Sequence, residues 1–409
     1  MNIQLDIAQT VGLAAVFLVL GEYIKNRVAV LARYFIPSPI IGGLLFALIA
    51  LVGHQTDSFN FSFNDDIRNF LLMAFFTTIG FSASFELLKK GGLAVALFLG
   101  CAVVLIILQN VMGVTLAALM DANPLLGLAA GSISMTGGHG TSAAFGPLLE
   151  KAGAVGALPA AIAASTWGLV MGCVIGGPLG KRLMKKHNID GPAPHRRHRR
   201  QHEGNDAPHA VETTVKETVQ VDDGGFEMPV YAVVLLAIAI GIGSVIIEWL
   251  GERGIVLPAY LGSMLVAAII RNVIDWRRYR LPEKEFETMG NVSLAFFLVM
   301  ALMVMKLWEL AEVAGPLLII LIAQTVLMFF FASYVTFKIM GKDYDAVVMS
   351  AGHCGFGMGA TPNAMANMQA FTEDNGPSRK AFFVIPLVGS LFIDFFNAVI
   401  ITGFMNFLN

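Results

Sequence analysis

The sequence predicts an all-α polytopic membrane protein: ten transmembrane helices in two inverted-topology repeats of five, each with a re-entrant hairpin between its fourth and fifth helix. Three observations predict it. Of 409 residues, 56% are hydrophobic and only 14% charged, with a mean hydropathy of +0.70, whereas soluble domains carry about 25% charged residues. Ten stretches are apolar over the roughly 20 residues needed to cross about 30 Å of hydrocarbon. A single ungapped shift of 221 residues lays the second half of the chain on the first. This composition excludes a soluble enzyme, a disordered chain and a secreted disulfide scaffold, and a net charge of −2 argues against nucleic acid as a partner.

The spans lie near 5–22, 36–53, 70–88, 92–119 and 157–180, then 229–250, 257–275, 290–308, 314–339 and 380–407. Regions 123–150 and 345–376 are apolar too, but crowded with Gly, Ser, Thr, Asn and Pro, and make poor continuous helices by propensity. Between the halves, Lys181 to Asp223 is hydrophilic, with three prolines. The chain thus divides into a first repeat (1–180), a hydrophilic linker (181–228) and a second repeat (229–409). The run His195-Arg196-Arg197-His198-Arg199-Arg200 reads as a solvated topogenic loop, with anionic lipid binding or pH sensing as other uses. Cys101, Cys173 and Cys354 sit in apolar or glycine-rich surroundings and read as packing residues. Met1–Asp6 lacks a basic n-region and a cleavage site, so no cleaved signal peptide is expected.

Charge sets the orientation. With the N-terminus outside and the linker inside, 23 of the 27 Lys and Arg fall inside, leaving Arg68, Lys151, Arg253 and Lys306 outside. That bias places the linker in the cytoplasm and both termini on the far side.

The 221-residue shift puts Ile36-Pro37 on Leu257-Pro258, Ala74-Phe75-Phe76 on Ala295-Phe296-Phe297, Ala130-Gly131 on Ala351-Gly352, Gly138 on Gly359, Ala143 on Ala364 and Gly168 on Gly389. Five spans per half is an odd number, so the copies enter the membrane from opposite sides, as in many secondary transporters with a midplane site at the repeat interface. Regions 123–150 and 345–376 hold equivalent places and read as re-entrant hairpins. Non-helical backbone at membrane depth is tolerated only where it is buried in protein or lines a cavity.

The first hairpin runs Gly131-Ser132-Ile133-Ser134-Met135-Thr136-Gly137-Gly138-His139-Gly140-Thr141-Ser142. Broken helix ends offer N–H groups to carboxylates and C=O groups to Na⁺, and the hydroxyls add neutral donors and acceptors. Ser134, Thr136, Gly137, Gly138, His139, Gly140, Thr141 and Ser142 are therefore candidate substrate contacts. The second hairpin supplies Gly359, Ala360, Thr361, Asn363 and Asn367, with Pro362 expected to break the helix and Asn363 and Asn367 on one helix face. His139 and His353 have no second ligand at metal spacing and read as turn-shaping groups. Asp394 is placed near the middle of the last span, where an ionised acid costs at least ~2.5 kcal/mol. Asn397 shares its face, and Gly357 and Thr361 complete the candidate sodium set. Asp394 could equally meet a substrate ammonium or cap stray backbone donors. Gln109, Asn110 and Gln324 are explained by interhelical hydrogen bonds. These residues point to a secondary transporter of a small anionic or zwitterionic solute with a cation, not to an enzyme.

The chain resembles the bacterial sodium/glutamate symporter family over essentially its whole length. The likeness is carried by IPSPIIGGLLFAL from Ile36, LMAFFTTIGF from Leu72, AGSISMTGGHGTSAA from Ala130, GNVSLAFFLVMALMVMKLWEL from Gly290 and AGHCGFGMGATPNAMANMQAFTE from Ala351. The resemblance implies ten spans in two inverted halves with a cytoplasmic loop, two re-entrant hairpins, and a homodimer working by an elevator movement. It also implies sodium-coupled uptake of glutamate across the bacterial inner membrane, with Na⁺ as coupling ion, no cofactor, and lipid as the surrounding partner. Only the resemblance specifies glutamate. A sodium-coupled di- or tricarboxylate carrier remains the alternative on the residues alone.

Overall fold

The computed structural model describes residues 2–29, 31, 36–63, 66–192, 227–253 and 258–408. Leu257, Arg33 and the His195–Arg200 run, used above for repeat, orientation and linker, lie outside the described residues. Among the described residues the regular structure is helical, apart from a two-stranded parallel ribbon that pairs β1 (Asn2–Gln4) with β2 (Asn60–Ser62). Among the described residues eight helices are long and apolar enough to cross a membrane, or nine with the bent pair at the C-terminal end. The expected third span is the 17-residue helix Asp66–Ser82, shorter than any of the eight.

Local chemistry starts these helices where they start. Helix α1 (Ile7–Arg27) opens on a capping box: Asp6 accepts from the Gln9 N–H and Gln9 from the Asp6 N–H, satisfying donors that have no intrahelical partner. Helix α2 (Ser38–Gln55) follows Pro37, and α3 (Asp66–Ser82) ends before Ser84, whose hydroxyl caps α4 (Phe85–Leu119). Within α4 the backbone breaks at Gly92 (φ 67°, ψ −166°), so the apolar span begins at Gly91.

Region 123–150 folds as α5 (Pro124–Leu128), a π turn over Ala129–Ile133, a tip, and α6 (Gly138–Lys151). It leads into α7 (Ala157–His187). The second half repeats the order: α8 (Met228–Gly251), α9 (Ala259–Arg277), α10 (Glu283–Met303) and α11 (Leu310–Phe331). A π turn (Ala332–Thr336) and the short α12 (Phe337–Ile339) extend α11. Then come α13 (Tyr344–Gly357) and α14 (Thr361–Asn375), the helical arms of region 345–376. Pro362 does not break a helix. It stands in the first turn of α14, where a missing N–H costs nothing and the fixed φ suits the helix start. The last expected span is likewise two helices, α15 (Arg379–Leu391) and α16 (Ile393–Leu408), bent by 46°.

Packing sorts the helices into two groups. Helices α1, α2, α3, α8, α9 and α10 pack mainly on one another, and α4–α7 with α11–α16 form the other group. The larger apolar core, built on residues such as Phe98, Leu105, Ile106, Met328, Phe356 and Ile385, lies within the second group. A further core joins the groups, combining Phe76, Tyr260, Phe297 and Leu302 with Phe145, Leu158 and Ile401. In the second group α7 turns Gly168, Gly172, Gly176 and Gly180 toward α13 and α14. Side chains there would strike the Met358 carbonyl, the Cys354 carbonyl, the Asn367 amide and the Phe371 ring. Small residues at every fourth position let helix backbones approach closely.

Candidate functional site

The two tips meet. Gly138 has φ +61°, and a Cβ there would lie 3.0 Å from the Gly359 carbonyl oxygen. Around this contact opens a cavity of about 400 Å³. Its lining includes Thr136, Gly137, Gly138, His139, Gly140 and Thr141 from the first tip and Gly359, Ala360, Thr361 and Pro362 from the second. Asp394, Asn291 and Ser390 complete the polar wall, and Phe75, Ile79, Leu294, Leu298 and Phe356 are among its apolar residues.

Four helices begin at this cavity: Pro37 and Pro39 of α2, Gly138 of α6, Thr361 of α14 and Ile393 of α16 all line it. Each start turns the positive end of a helix dipole toward the cavity, which favours anions, although Pro37, Pro39 and Pro362 bring no N–H of their own. Among the described residues no Lys or Arg lines the cavity. Asp394 is the one carboxylate among the described lining residues and stands in the first turn of α16. It lies midway along the bent pair 379–408, and the break after Leu391 makes its position a helix start, where a negative charge is favoured.

Not every candidate reaches the cavity. Ser134 and Ser142 are buried behind the first tip, both bonded to the Ala161 carbonyl (3.0 and 3.2 Å), and Ser142 also pairs with Ser165 at 2.7 Å. Asn363 donates to the Leu169 carbonyl (3.0 Å) and Asn367 to that of Gly172 (2.9 Å), so the shared face read from their spacing docks α14 on α7. Asn397 is buried against Ser132, accepting from its hydroxyl at 2.7 Å and donating to its carbonyl at 3.2 Å. The Gly357 carbonyl accepts from Gln109 at 2.7 Å and also takes a longer bond from Thr136. Of the candidate sodium set, Thr361 and Asp394 line the cavity, while Asn397 and Gly357 are held by protein groups.

The amides of the fourth and ninth expected spans tie the tips together. Gln109 on α4 accepts from Thr136 (2.8 Å) and donates to Gly357, bridging the hairpins through one side chain. Gln324 on α11 donates to the Gln109 carbonyl (2.7 Å), and Asn110 accepts from the Ser132 N–H (2.8 Å). His139 bonds Thr166 at 3.0 Å and His353 bonds Thr336 at 2.8 Å. Among the described residues no three His, Cys, Asp or Glu gather as a metal site. The sequence reading missed Asn291 and Ser390. A lone amide among the apolar residues of α10 was the available signal for the first, and Ser390 beside Gly389 gave none.

A family profile described as sodium/glutamate symporter matches residues 3–377. The sodium/glutamate symporter of Escherichia coli (strain K12) is 40% identical over 404 residues, covering 97% of this chain and 96% of that protein. The protein of the same description from Haemophilus influenzae is 38% identical over 408 residues, covering 96% and 95%.

Proposed function

The chain belongs to the sodium/glutamate symporter family, and from that premise we propose that it carries glutamate across the bacterial inner membrane, driven by sodium. The observation that carries the reading is the convergence of four helix starts on a cavity lined, among the described residues, by no Lys or Arg. Dipole ends and backbone N–H groups can hold two carboxylates without burying a full positive charge beside them. The N-terminal turns of α6 and α14, Gly138–Thr141 and Thr361, take the carboxylates, and the Thr136 and Thr141 hydroxyls orient them. Asp394, with Thr361, takes the sodium ion or the substrate ammonium. Asn397 and Gln109 act from behind by fixing Ser132, Thr136 and Gly357. The chain is read as a carrier, not an enzyme, and no organic cofactor enters the scheme.

Ten spans follow when α3 and the bent pair are counted with the eight long helices. They divide into repeats 1–180 and 229–409 of opposite topology, with 123–150 and 345–376 as re-entrant hairpins and linker 181–228 in the cytoplasm. The two packing groups supply an elevator: the hairpin-bearing group moves and carries the cavity, while the group containing α2 and α9 stays still and makes the homodimer contact. Burial of the tips within one packed unit supports this division, since a site held inside a rigid body moves with it.

Labelled glutamate uptake into proteoliposomes, with and without an inward sodium gradient, tests the reading. Accumulation above equilibrium only with the gradient is expected. Accumulation indifferent to sodium, or preferential counterflow of citrate, would refute it.

A further inference from the structure

The tip cavity is open at one end and filled at the other. A second cavity, also of about 400 Å³, abuts it and shares Phe75, Ile79, Asn291 and Ser390 with it. None of these four is buried, and Asn291 and Ser390 are exposed. Asn291 stands eight residues past Glu283 on α10, and Ser390 eleven past Arg379 on α15, or about 12 and 17 Å along their helices at 1.5 Å per residue. An exposed amide and hydroxyl at that depth in an apolar bundle need water or a polar solute. Toward the far end of α10, Phe297, Ala301 and Leu302 are buried in one core with Phe145 and Leu149 of α6, which closes that direction.

Connectivity says which face the open end meets. The linker leads into α8, and with α8 and α9 each crossing once, Arg277 at the end of α9 and Glu283 at the start of α10 come back to the linker's face. The second cavity sits there. Its wall includes Ser82 at the end of α3, Leu87 of α4, Arg271 of α9, and Glu283 and Glu287 of α10. Arg271 is buried and already engaged, meeting Asp275 at 2.9 Å, Glu283 at 2.8 Å and the Phe81 carbonyl at 3.2 Å. It ties the end of α3 to the start of α10 and so holds the wall, rather than offering a charge to solute.

We propose that this second cavity is the release vestibule of the tip cavity, emptying onto the linker's face, with Asn291 and Ser390 as the neck that the solute passes; the proposal rests on the transport reading above. Phe75, Ile79 and Asn291 belong to the packing group of α3 and α10, whereas Ser390 belongs to the other. The neck is therefore built across the boundary between the groups, and a shift of one against the other, as alternating access requires, opens or closes it.

Two measurements test it. Ser390→Cys places a thiol in the neck, Ser82→Cys and Glu287→Cys place one in the vestibule wall, and Thr214→Cys marks the side of the membrane on which the linker lies. A charged, membrane-impermeant thiol reagent is applied to right-side-out and inside-out vesicles, with and without sodium and glutamate, and the parent is the blank. The three cavity thiols should label from the linker's side about tenfold faster than from the other, where packed protein bars the way. In proteoliposomes, full modification of Ser82→Cys or Glu287→Cys should then cut glutamate exchange about fivefold or more and leave its equilibrium Kd within about twofold, since an obstructed exit slows turnover without touching the bound state. Faster labelling of the neck thiol from the opposite side, no labelling from the linker's side under any of these conditions, or exchange unchanged after modification would overturn the vestibule. Sided labelling in a protein that shows no sodium-driven uptake would uphold the opening and defeat the transport reading, whereas sodium-driven uptake without sided labelling would do the reverse.

Discussion

Gly138→Ala probes the tip-to-tip contact most directly. Gly138 has φ +61°, a region that costs an L-residue roughly 1–2 kcal/mol. The new methyl would lie 3.0 Å from the Gly359 carbonyl oxygen, closer than the 3.3–3.6 Å usual for carbon–oxygen contacts, so the tips must part by a few tenths of an ångström. If that strain falls on the state that binds substrate, glutamate affinity drops by a factor of about 5 to 30, at 1.4 kcal/mol per tenfold. Gly153→Ala is the control. Its backbone is also left-handed (φ +97°), but its methyl meets nothing within 4 Å, so it pays strain in a loop away from the cavity. Glutamate binding at saturating sodium, measured calorimetrically on the purified protein, should weaken for Gly138→Ala and hold for Gly153→Ala. Equal affinity of Gly138→Ala and parent, or equal loss in both variants, would refute the reasoning.

Three further outcomes are expected. Asp394→Asn should abolish sodium-driven accumulation while leaving insertion intact. In paired titrations of uptake, a larger fall in sodium affinity than in glutamate affinity marks a sodium ligand; the reverse marks the ammonium partner. Gln109→Leu removes the side chain that joins Thr136 to Gly357, leaving a buried carbonyl without its shorter donor at about 1–3 kcal/mol; both affinities should fall together, by roughly tenfold. Asn397→Ala breaks both bonds to Ser132 and should lower thermal stability in detergent by a similar energy, yet shift the sodium dependence less than Asp394→Asn does.

Much of this was legible in the sequence. The 221-residue offset located both tips because it lays one glycine-rich stretch on the other, with Gly131 on Gly352 and Gly138 on Gly359. The tip residues from Thr136 to Thr141 and from Gly359 to Thr361 do line one cavity. What spacing could not supply was direction. Asn363 and Asn367 sit on one face as read, but that face meets the backbone of α7, and nothing local in the sequence says which neighbour a face will find. The helix start at Asp394 went unread because hydropathy runs unbroken from Phe382 to Phe407 while the helix does not. Asn291 went unread because one amide in an apolar helix is indistinguishable, alone, from an interhelical hydrogen bond. Pro362 was read as a breaker because its helix had not yet been given a beginning.

The glycine edge of α7 also bears on how the two halves of the chain hold together. Gly168, Gly172, Gly176 and Gly180 lie before the linker, yet the atoms they accommodate lie after it, on residues such as Met358, Cys354, Asn367 and Phe371, with Met135 the one exception. Residues 1–180 alone would carry that bare edge with little of their own to lay against it, so the first half leaves open a surface that the second covers. The same edge should let the two halves, made as separate polypeptides divided within the linker, find each other in the membrane.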